Sequence, residues 1–239
     1  MKNVVLLVLI TISLSSNCTI DDDTSDSNFI IHTVNPTEQR LELFWQDENY
    51  NNFHNFKNLR LWLDNRETKL VFAMNGGMYK KDYSPEGLYI ENSKTITDIN
   101  MGKSGFGNFY LKPNGIFGLT HDNQPKIIST EKFKDSNNFK FATQSGPLLL
   151  IDGKLHPEFN KGSKNIHIRN GVGILPNGHL IFAMSKQRIN FFDFANFFKN
   201  QGCKNALYLD GFISRVYLPS KNWIQEDGKL GVIIAEIQK

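Results

Sequence analysis

Residues 204–217 have the sequence KNALYLDGFISRVY. The apolar run Leu207-Tyr208-Leu209 predicts a buried strand, and the Asp210-Gly211 step predicts the turn that ends it. The carboxylate of Asp210 is therefore expected beside apolar walls, where an ionised group is costly unless it is hydrogen-bonded or paired. Carboxylates in such places are frequent in active sites. The alternative is an ordinary Asp-Gly turn between two strands.

Two helices are predicted outside this strand. Phe191–Asn200 has apolar residues at helical spacing, with Asn190 as the N-cap and Gly202 as the stop. Because its Phe residues fall on more than one face, we expect both sides of this helix to be covered. Asn52–Asp64 has a single apolar face and predicts an amphipathic helix ended by Asn65.

Most of the remaining chain predicts short strands joined by turns. Residues 29–44 contain one or two strands, and Lys69–Met74 predicts a buried strand that runs into Asn75. Hairpins are predicted around residues 91–94, Pro113-Asn114-Gly115, Asp152-Gly153 and Pro176-Asn177-Gly178. The predicted fold class is α+β: a mixed, largely antiparallel sheet with two main packed helices, in a single domain.

Composition limits the classes of partner. The chain has 239 residues, 40% of them hydrophobic and 12% aromatic, which is ample for the core of one domain. Removing residues 1–28 takes one basic and four acidic side chains from totals of 27 and 24, which leaves a net charge of +6. This surplus suits an anionic ligand but is too scattered for nucleic acid, which we do not expect as a partner.

The N-terminus has the pattern of an export signal. Lys2 precedes an apolar run, residues 4–14, that is too short to span a bilayer. Residues 14–18 resemble a bacterial lipobox, which predicts a signal peptide over residues 1–18 and a lipid on Cys18 as the one attachment to a membrane. Signal cleavage without a lipid is the alternative, because Asn17 replaces the usual small residue. Residues 19–28 are polar and acidic and predict a disordered tether, followed by the folded domain over residues 29–239.

The protein is therefore expected to be exported, to the periplasm or the outer membrane of a bacterium. The chain has two cysteines, Cys18 and Cys203, so no disulfide framework follows. Cys203 is expected to be a small buried apolar group.

Several familiar sites are absent from the sequence. It contains no Gly-x-Ser-x-Gly elbow, no His-Glu-x-x-His and no Cys-x-x-Cys, and Thr97 stands where a P-loop ending at Gly102-Lys103-Ser104 needs its first glycine. We expect neither a cofactor nor a metal, although scattered carboxylate, amide and carbonyl oxygens can bind calcium without a motif.

Four segments place polar groups at predicted strand ends. The first contains Asn75, Gly76 and Gly77, whose backbone can approach an anion, or which form a simple tight turn. The second contains Ser145 and Gly146, and it is either a hydroxyl donor to substrate or a loop capped by Gly-Pro. The third contains Arg169, which is suited to bidentate phosphate binding; the alternative is an ordinary surface arginine. The fourth contains Asp210 and Ser214.

Taken together and in this order, six segments resemble the phosphodiester glycosidase family. They are Asn75-Gly-Gly-Met-Tyr, Pro85-Glu-Gly-Leu-Tyr-Ile-Glu-Asn, Phe109-Tyr-Leu-Lys-Pro-Asn-Gly, Gln144-Ser-Gly-Pro-Leu, Arg169-Asn-Gly-Val-Gly and Ala206-Leu-Tyr-Leu-Asp-Gly. The resemblance covers roughly residues 71–219. Phe212-Ile213-Ser214 follows the Asp-Gly step where the mannose 6-phosphate uncovering branch has another glycine and a serine-rich run, so the chain resembles the exported bacterial branch.

The resemblance implies hydrolysis of a sugar-1-phosphodiester in a glycan at the C1–O bond. In this hypothesis Asp210 is the base for water, or the nucleophile or oxocarbenium stabiliser. Arg169 and the N–H groups of Gly76 and Gly77 bind the phosphate. Other residues orient the substrate or line its binding site: Asn75, Ser145, Gly146, Glu86 and Ser214. Glu86 is a candidate second acid or base, with a solvated loop glutamate as the alternative.

Two further classes remain open. A protein of this fold could be a non-catalytic carbohydrate-binding lipoprotein of the envelope. It could also be an assembly factor for exopolysaccharide, with an exposed aromatic patch near residues 191–198 as its docking surface.

Overall fold

The computed structural model describes residues 28–105, 107–210 and 213–239. The signal segment predicted at residues 1–18, the tether up to residue 27, and Gly211 of the predicted Asp210-Gly211 turn lie outside these ranges. The α-helices are α1 (Phe56–Asp64) and α2 (Phe191–Asn200), and 3-10 helices cover Asn108–Tyr110, Thr130–Lys132 and Pro219–Lys221. The strands are β1 (Phe29–Val34), β2 (Arg40–Phe44), β3 (Lys69–Asn75), β4 (Tyr89–Glu91), β5 (Lys94–Thr97), β6 (Gly115–Thr120), β7 (Pro125–Ser129), β8 (Phe139–Ser145), β9 (Leu148–Ile151), β10 (Lys154–Leu155), β11 (Asn170–Ile174), β12 (Leu180–Ser185), β13 (Ala206–Asp210), β14 (Val216–Leu218), β15 (Trp223–Ile224) and β16 (Ile233–Gln238).

The strands form three antiparallel sheets. A six-stranded sheet has the order β1-β12-β11-β13-β9-β10, and two five-stranded sheets have the orders β15-β14-β3-β16-β2 and β5-β4-β8-β6-β7. The predicted α+β class, with largely antiparallel sheet and two helices in one domain, is confirmed. Each of the three sheets contributes to the four predicted polar segments: β3 and β8 lie in the two five-stranded sheets, and β11 and β13 lie in the six-stranded sheet. The packing of the sheets therefore decides which strand ends meet.

One hydrophobic core joins the three sheets. It contains Phe72 from β3, Phe117 from β6 and Phe182 from β12, each at most 2% exposed. The ring of Phe182 lies 5.2 Å from that of Phe72 and 6.1 Å from that of Phe117, measured between ring centroids. Burial of a phenylalanine side chain stabilises a fold by roughly 1.5–3 kcal/mol, so this cluster fixes the relative positions of the sheets.

The side chains of β12 alternate between two layers. Phe182 and Met184 face the shared core, whereas Ile181 and Ala183 pack in the cluster that contains α2. This period of two is that of a strand buried on both faces.

Helix α2 has the predicted bounds. The Asn190 side chain accepts a hydrogen bond from the N–H of Asp193 at 2.9 Å, and Gly202 has a φ of 82° that lets the chain leave the helix. Phe194 and Phe198 are fully buried, so the expectation that α2 is covered on more than one face is confirmed. The docking patch considered for residues 191–198 is wrong, since this aromatic surface is core.

Cys203 follows α2 and is buried, as predicted. Burial raises the pKa of its thiol to about 12, so the thiol stays protonated. In the ranges that the structure describes, no helix combines the length and apolar character needed to cross a membrane.

Helix α1 is shorter at its N-terminus than predicted. It begins at Phe56 because Asn55 has an extended φ of −151° and accepts a hydrogen bond from the N–H of Asn58 at 2.8 Å, as an N-cap does. His54 has a φ of 62°, outside the helical region. The local cap therefore overrides the apolar spacing that placed the start at Asn52.

Three of the four predicted hairpins are confirmed: β4–β5, β9–β10 and β11–β12 pair around the predicted turns. The hairpin around Pro113-Asn114-Gly115 is wrong. Residues 108–110 form a 3-10 helix, and β6 pairs with β7 and β8 instead. The Asn114 side chain donates to the Phe109 carbonyl at 2.9 Å. This segment is therefore a loop stabilised by a side-chain hydrogen bond and not the turn of a β-hairpin.

A partly buried hydrogen bond between His32 and Glu236 links two sheets and makes stability depend on pH. His32 Nε2 on β1 lies 2.6 Å from Glu236 Oε2 on β16, and Gln39 Nε2 donates to Glu236 Oε1 at 2.9 Å. Burial alone would raise the pKa of Glu236, but the hydrogen bonds from His32 and Gln39 outweigh it and hold the pKa below its ordinary value of 4.5.

A carboxylate whose pKa is lower in the folded state favours folding once it is ionised. We expect this stabilisation to be complete above pH 4.5 and to be lost as the pH falls through the native pKa of Glu236. The free energy of unfolding in urea, measured over that pH range, should vary less in Glu236→Gln than in the wild type. Glu38→Gln, at an exposed position, is the control and should follow the wild type. Equal pH dependence in Glu236→Gln and the wild type would contradict this role.

Candidate active site

Asn75 and Asp210 meet at the ends of their strands. Asn75 is the last residue of β3 and Asp210 the last residue of β13, and Asn75 Nδ2 lies 3.2 Å from Asp210 Oδ2. Both side chains are buried, and Asp210 is 5% exposed. Ser145 ends β8, and its hydroxyl donates to the Leu209 carbonyl at 2.7 Å. The segments predicted around positions 75, 145 and 210 therefore converge.

The amide of Asn75 connects the strand ends to the chain beyond Asp210. Its Nδ2 also donates to the Ile213 carbonyl, and its Oδ1 accepts from the N–H of Arg215 at 2.7 Å. Both ends of the amide are engaged. Among the described contacts, Asn75 holds the carboxylate and the backbone around it, so the role that its geometry supports is to orient Asp210.

Asn170 supports Asp210 from the opposite strand. The two residues are paired in the β11–β13 register, and Asn170 Oδ1 accepts the N–H of Asp210 at 2.8 Å. Sequence reasoning missed this residue, although it follows Arg169 in a segment that had already been singled out. The sequence shows only an asparagine at the start of a predicted strand. Its role becomes recognisable once the pairing of Asn170 with Asp210 is known.

Ser214 also holds the backbone of this region. Its hydroxyl lies 3.0 Å from the Asp210 carbonyl and 3.1 Å from the Ile168 carbonyl. The described partners of Ser145 and Ser214 are main-chain carbonyls, and they include those of Leu209 and Asp210 at the end of β13. Their contribution in this geometry is to position the end of β13.

The charge of Asp210 acts on two tyrosines, Tyr79 and Tyr208. Burial, with the charge of Asp210 as a further cause, raises the pKa of Tyr79 and of Tyr208 well above the ordinary value. Both phenols therefore stay protonated at neutral pH. Tyr79 donates to the Lys229 carbonyl at 2.7 Å. Tyr79 closes the predicted segment that begins at Asn75, but its nearness to Asp210 was not predicted.

Arg169 is placed differently from the prediction. It is fully buried, and its Nε donates to the Ile189 carbonyl at 2.8 Å, while Nη2 donates to the Asn165 carbonyl at 2.8 Å. Nη1 lies 3.3 Å from the Tyr208 hydroxyl, and the guanidinium carbon stacks 3.5 Å from the centroid of the Phe191 ring. A guanidinium with these partners is a structural cation. These contacts hold Arg169 within the fold, and its predicted phosphate contact stays a prediction.

The paired glycines serve packing. The N–H of Gly76 donates to the Val232 carbonyl at 2.8 Å, so the prediction that it binds phosphate is wrong. A Cβ on Gly77 would lie 2.5 Å from Thr143 Oγ1, and a Cβ on Gly146 would collide with that of Asn114. Glycine is needed at both positions for close approach of the neighbouring segment.

This packing role predicts coupling between Gly77 and Thr143. Gly77→Ala should destabilise the fold by roughly 1–3 kcal/mol, the usual cost of overpacking. Thr143→Ala removes the hydroxyl that the new Cβ meets, so the double variant should recover part of the loss. Urea unfolding of the two single variants and the double variant measures the coupling energy. Strict additivity would show that Gly77 is not required for this contact.

Glu86 has its own hydrogen-bond partners. Its Oε1 accepts from the Tyr110 hydroxyl at 2.8 Å, and its N–H donates to the Met78 carbonyl at 3.0 Å. The side chain is half-buried. Its predicted role as a second acid or base stays a prediction. In the described ranges, the structure contains no group of three or more His, Cys, Asp or Glu side chains arranged to hold a metal.

The segments that form this site belong to a stretch of sequence shared with a known family. Residues 68–229, which include all the strand ends described above, match the model of the phosphodiester glycosidase family. The chain belongs to the phosphodiester glycosidase family. It is also 37% identical over 205 residues to YigE of Escherichia coli (strain K12), a match that covers 85% of this chain and 79% of that protein.

Solved structures share the fold of this phosphodiester glycosidase domain. The catalytic domain of zebrafish N-acetylglucosamine-1-phosphodiester alpha-N-acetylglucosaminidase superimposes with a TM-score of 0.61 at 17% identity, over 89% of this chain and 83% of that one. A putative exported protein of Burkholderia pseudomallei K96243 gives a TM-score of 0.56 at 8% identity, over 87% and 73% of the two chains. A hypothetical protein from Synechocystis gives 0.54 at 13% identity, over 90% and 60%.

Proposed function

We propose that this protein is an exported hydrolase that cleaves sugar-1-phosphodiester bonds of envelope or extracellular glycans. The observation that carries the proposal is the carboxylate of Asp210, held at the end of β13 by Asn75 through its Oδ2 and by Asn170 through its N–H. Family membership supplies the reaction class, because phosphodiester glycosidases act on a sugar joined to a phosphate.

The proposed reaction breaks the bond between C1 of the sugar and the phosphate oxygen. The electrons of that bond leave with the oxygen, water supplies the hydroxyl at C1, and the remaining proton ends on the solvent or the phosphomonoester. A phosphomonoester already stabilises negative charge on its oxygen, so strong protonation of the leaving group is less important than in ordinary glycoside hydrolysis.

Asp210 acts on the sugar side of this bond. It serves as the base for water, or as the nucleophile or oxocarbenium stabiliser, and Asn75 keeps the carboxylate oriented through the Nδ2–Oδ2 contact of 3.2 Å. Ser145 and Ser214 fix the backbone on either side of the carboxylate. Arg169 acts through Tyr208, whose hydroxyl it contacts and whose ring lies near Asp210, as a positioning residue.

We propose the periplasm or the outer membrane as its location, with a lipid on Cys18 as the anchor. Support comes from the sequence of residues 1–18, with its basic start, apolar run and lipobox-like end. An exported enzyme of this class would meet glycans of the cell envelope.

The full-length protein should be tested against nucleotide-sugars and glycosyl phosphodiesters that differ in the sugar, the aglycone and the anomeric configuration. The expected result is release of a free sugar and a phosphomonoester from a subset of these compounds. Binding of a sugar without turnover of any diester would instead indicate a carbohydrate-binding protein.

A further inference from the structure

Asn170 carries a hydrogen-bond donor that has no partner in the described parts of the chain. The residue is fully buried, and its Nδ2 is one of three buried side-chain polar atoms in those ranges without a partner. The other two are His54 Nδ1, in a ring that meets Tyr83 edge-on, and His156 Nε2, in a ring that stacks on Phe159. Leaving a buried donor unpaired costs free energy, and such a group calls for an explanation.

The orientation of this amide is fixed. Asn170 Oδ1 accepts the N–H of Asp210 at 2.8 Å, and an amide nitrogen cannot accept that bond. Turning the amide by 180° would place two donors against each other at Asp210. The unpaired group is therefore an N–H donor, located at the strand end where Asp210 presents its carboxylate.

The proposed substrate indicates which acceptor fits this donor. The Asp210 carboxylate is buried in the same place and is proposed to act on the sugar side of the scissile bond, so the sugar, not the phosphate, is the part of the substrate placed beside Asn170. A neutral amide N–H pairs well with a neutral oxygen. A sugar bound with its anomeric carbon at Asp210 offers such oxygens, on its hydroxyl groups or its acetamido carbonyl.

We infer that Asn170 Nδ2 binds a neutral oxygen of the sugar ring that occupies the site, and so contributes to the choice of sugar. This inference rests on the proposed function, which places a sugar at Asp210. Asn75 cannot fill the same role, because both ends of its amide already have partners.

Calorimetric binding of free monosaccharides to the full-length protein tests the inference. The panel contains glucose, galactose, mannose and N-acetylglucosamine, each with the analogues that lack one hydroxyl or the acetamido group. For the preferred sugar, we expect removal of one oxygen to weaken binding to the wild type by roughly 3- to 10-fold, the effect of one neutral hydrogen bond. In Asn170→Ala the same removal should change the affinity less than twofold, because the donor is gone.

Asn205→Ala is the matched control. Asn205 precedes the other end of β13, and its Oδ1 also accepts a main-chain N–H, that of Asp152 at 3.0 Å. This variant should discriminate among the sugars as the wild type does. A role of Asn170 in folding alone would lower stability without changing discrimination, so thermal unfolding is measured beside binding.

The inference is overturned if Asn170→Ala discriminates among the sugars as the wild type does, including the case in which neither binds any of them. Failure of the proposed function has a different signature. In that case the wild type would bind a sugar through Asn170 and yet hydrolyse no sugar-1-phosphodiester.

Discussion

Asp210→Asn should abolish turnover of a sugar-1-phosphodiester while the protein stays folded. The amide has the shape of the carboxylate and retains an oxygen that can accept the hydrogen bond of Asn75 Nδ2. It cannot take a proton from water or carry negative charge beside the anomeric carbon. We expect kcat to fall by about 10³-fold or more, measured as release of the phosphomonoester.

The control for this variant is Asp227→Asn. Asp227 is a surface carboxylate that pairs with Arg215 at 2.8 Å, so its loss should cost about 1 kcal/mol or less of stability and leave turnover unchanged. Circular dichroism and thermal unfolding of both variants establish that they are folded. Near-normal activity of folded Asp210→Asn would remove Asp210 from the reaction.

Arg169→Ala should be the most destabilising of the single variants considered. It deletes a fully buried cation with hydrogen bonds to two main-chain carbonyls and a stacking contact on Phe191. The carbonyls of Ile189 and Asn165 would lose their partner, and a cavity would form under α2. We expect the free energy of unfolding in urea to fall by roughly 3–4 kcal/mol.

Arg169→Lys should recover little of this loss, because an ammonium cannot reproduce the planar fork of donors. Arg188→Ala, at an exposed position nearby, should change stability by less than about 0.5 kcal/mol. A stable Arg169→Ala protein with a raised KM for phosphodiesters alone would contradict the structural role and support a phosphate contact.

The sequence predicted those parts of the fold that depend on local signals. Helix α2 was placed correctly because Asn190 and Gly202 mark its ends, and the strand ending at Asp210 because an apolar run meets a turn. The convergence of Asn75, Ser145 and Asp210 was also predicted, because polar groups at strand ends are recognisable without knowing the sheet order.

The errors arise where a distant partner decides the outcome. The burial of Arg169 was not predicted, because its Nε and Nη2 donate to carbonyls of Ile189 and Asn165, which carry no sequence signature. The N–H of Gly76 is taken by Val232, far along the chain. Asn170 was overlooked because its importance depends on its pairing with Asp210 across β11 and β13.

The position of bond cleavage tests the central claim most directly. A sugar-1-phosphodiester is hydrolysed by the full-length protein in water enriched in ¹⁸O, and mass spectrometry locates the label in the products. If the site around Asp210 acts at the anomeric carbon, the label will be found on C1 of the released sugar and not in the phosphomonoester. Label in the phosphomonoester would show attack at phosphorus and would contradict the account.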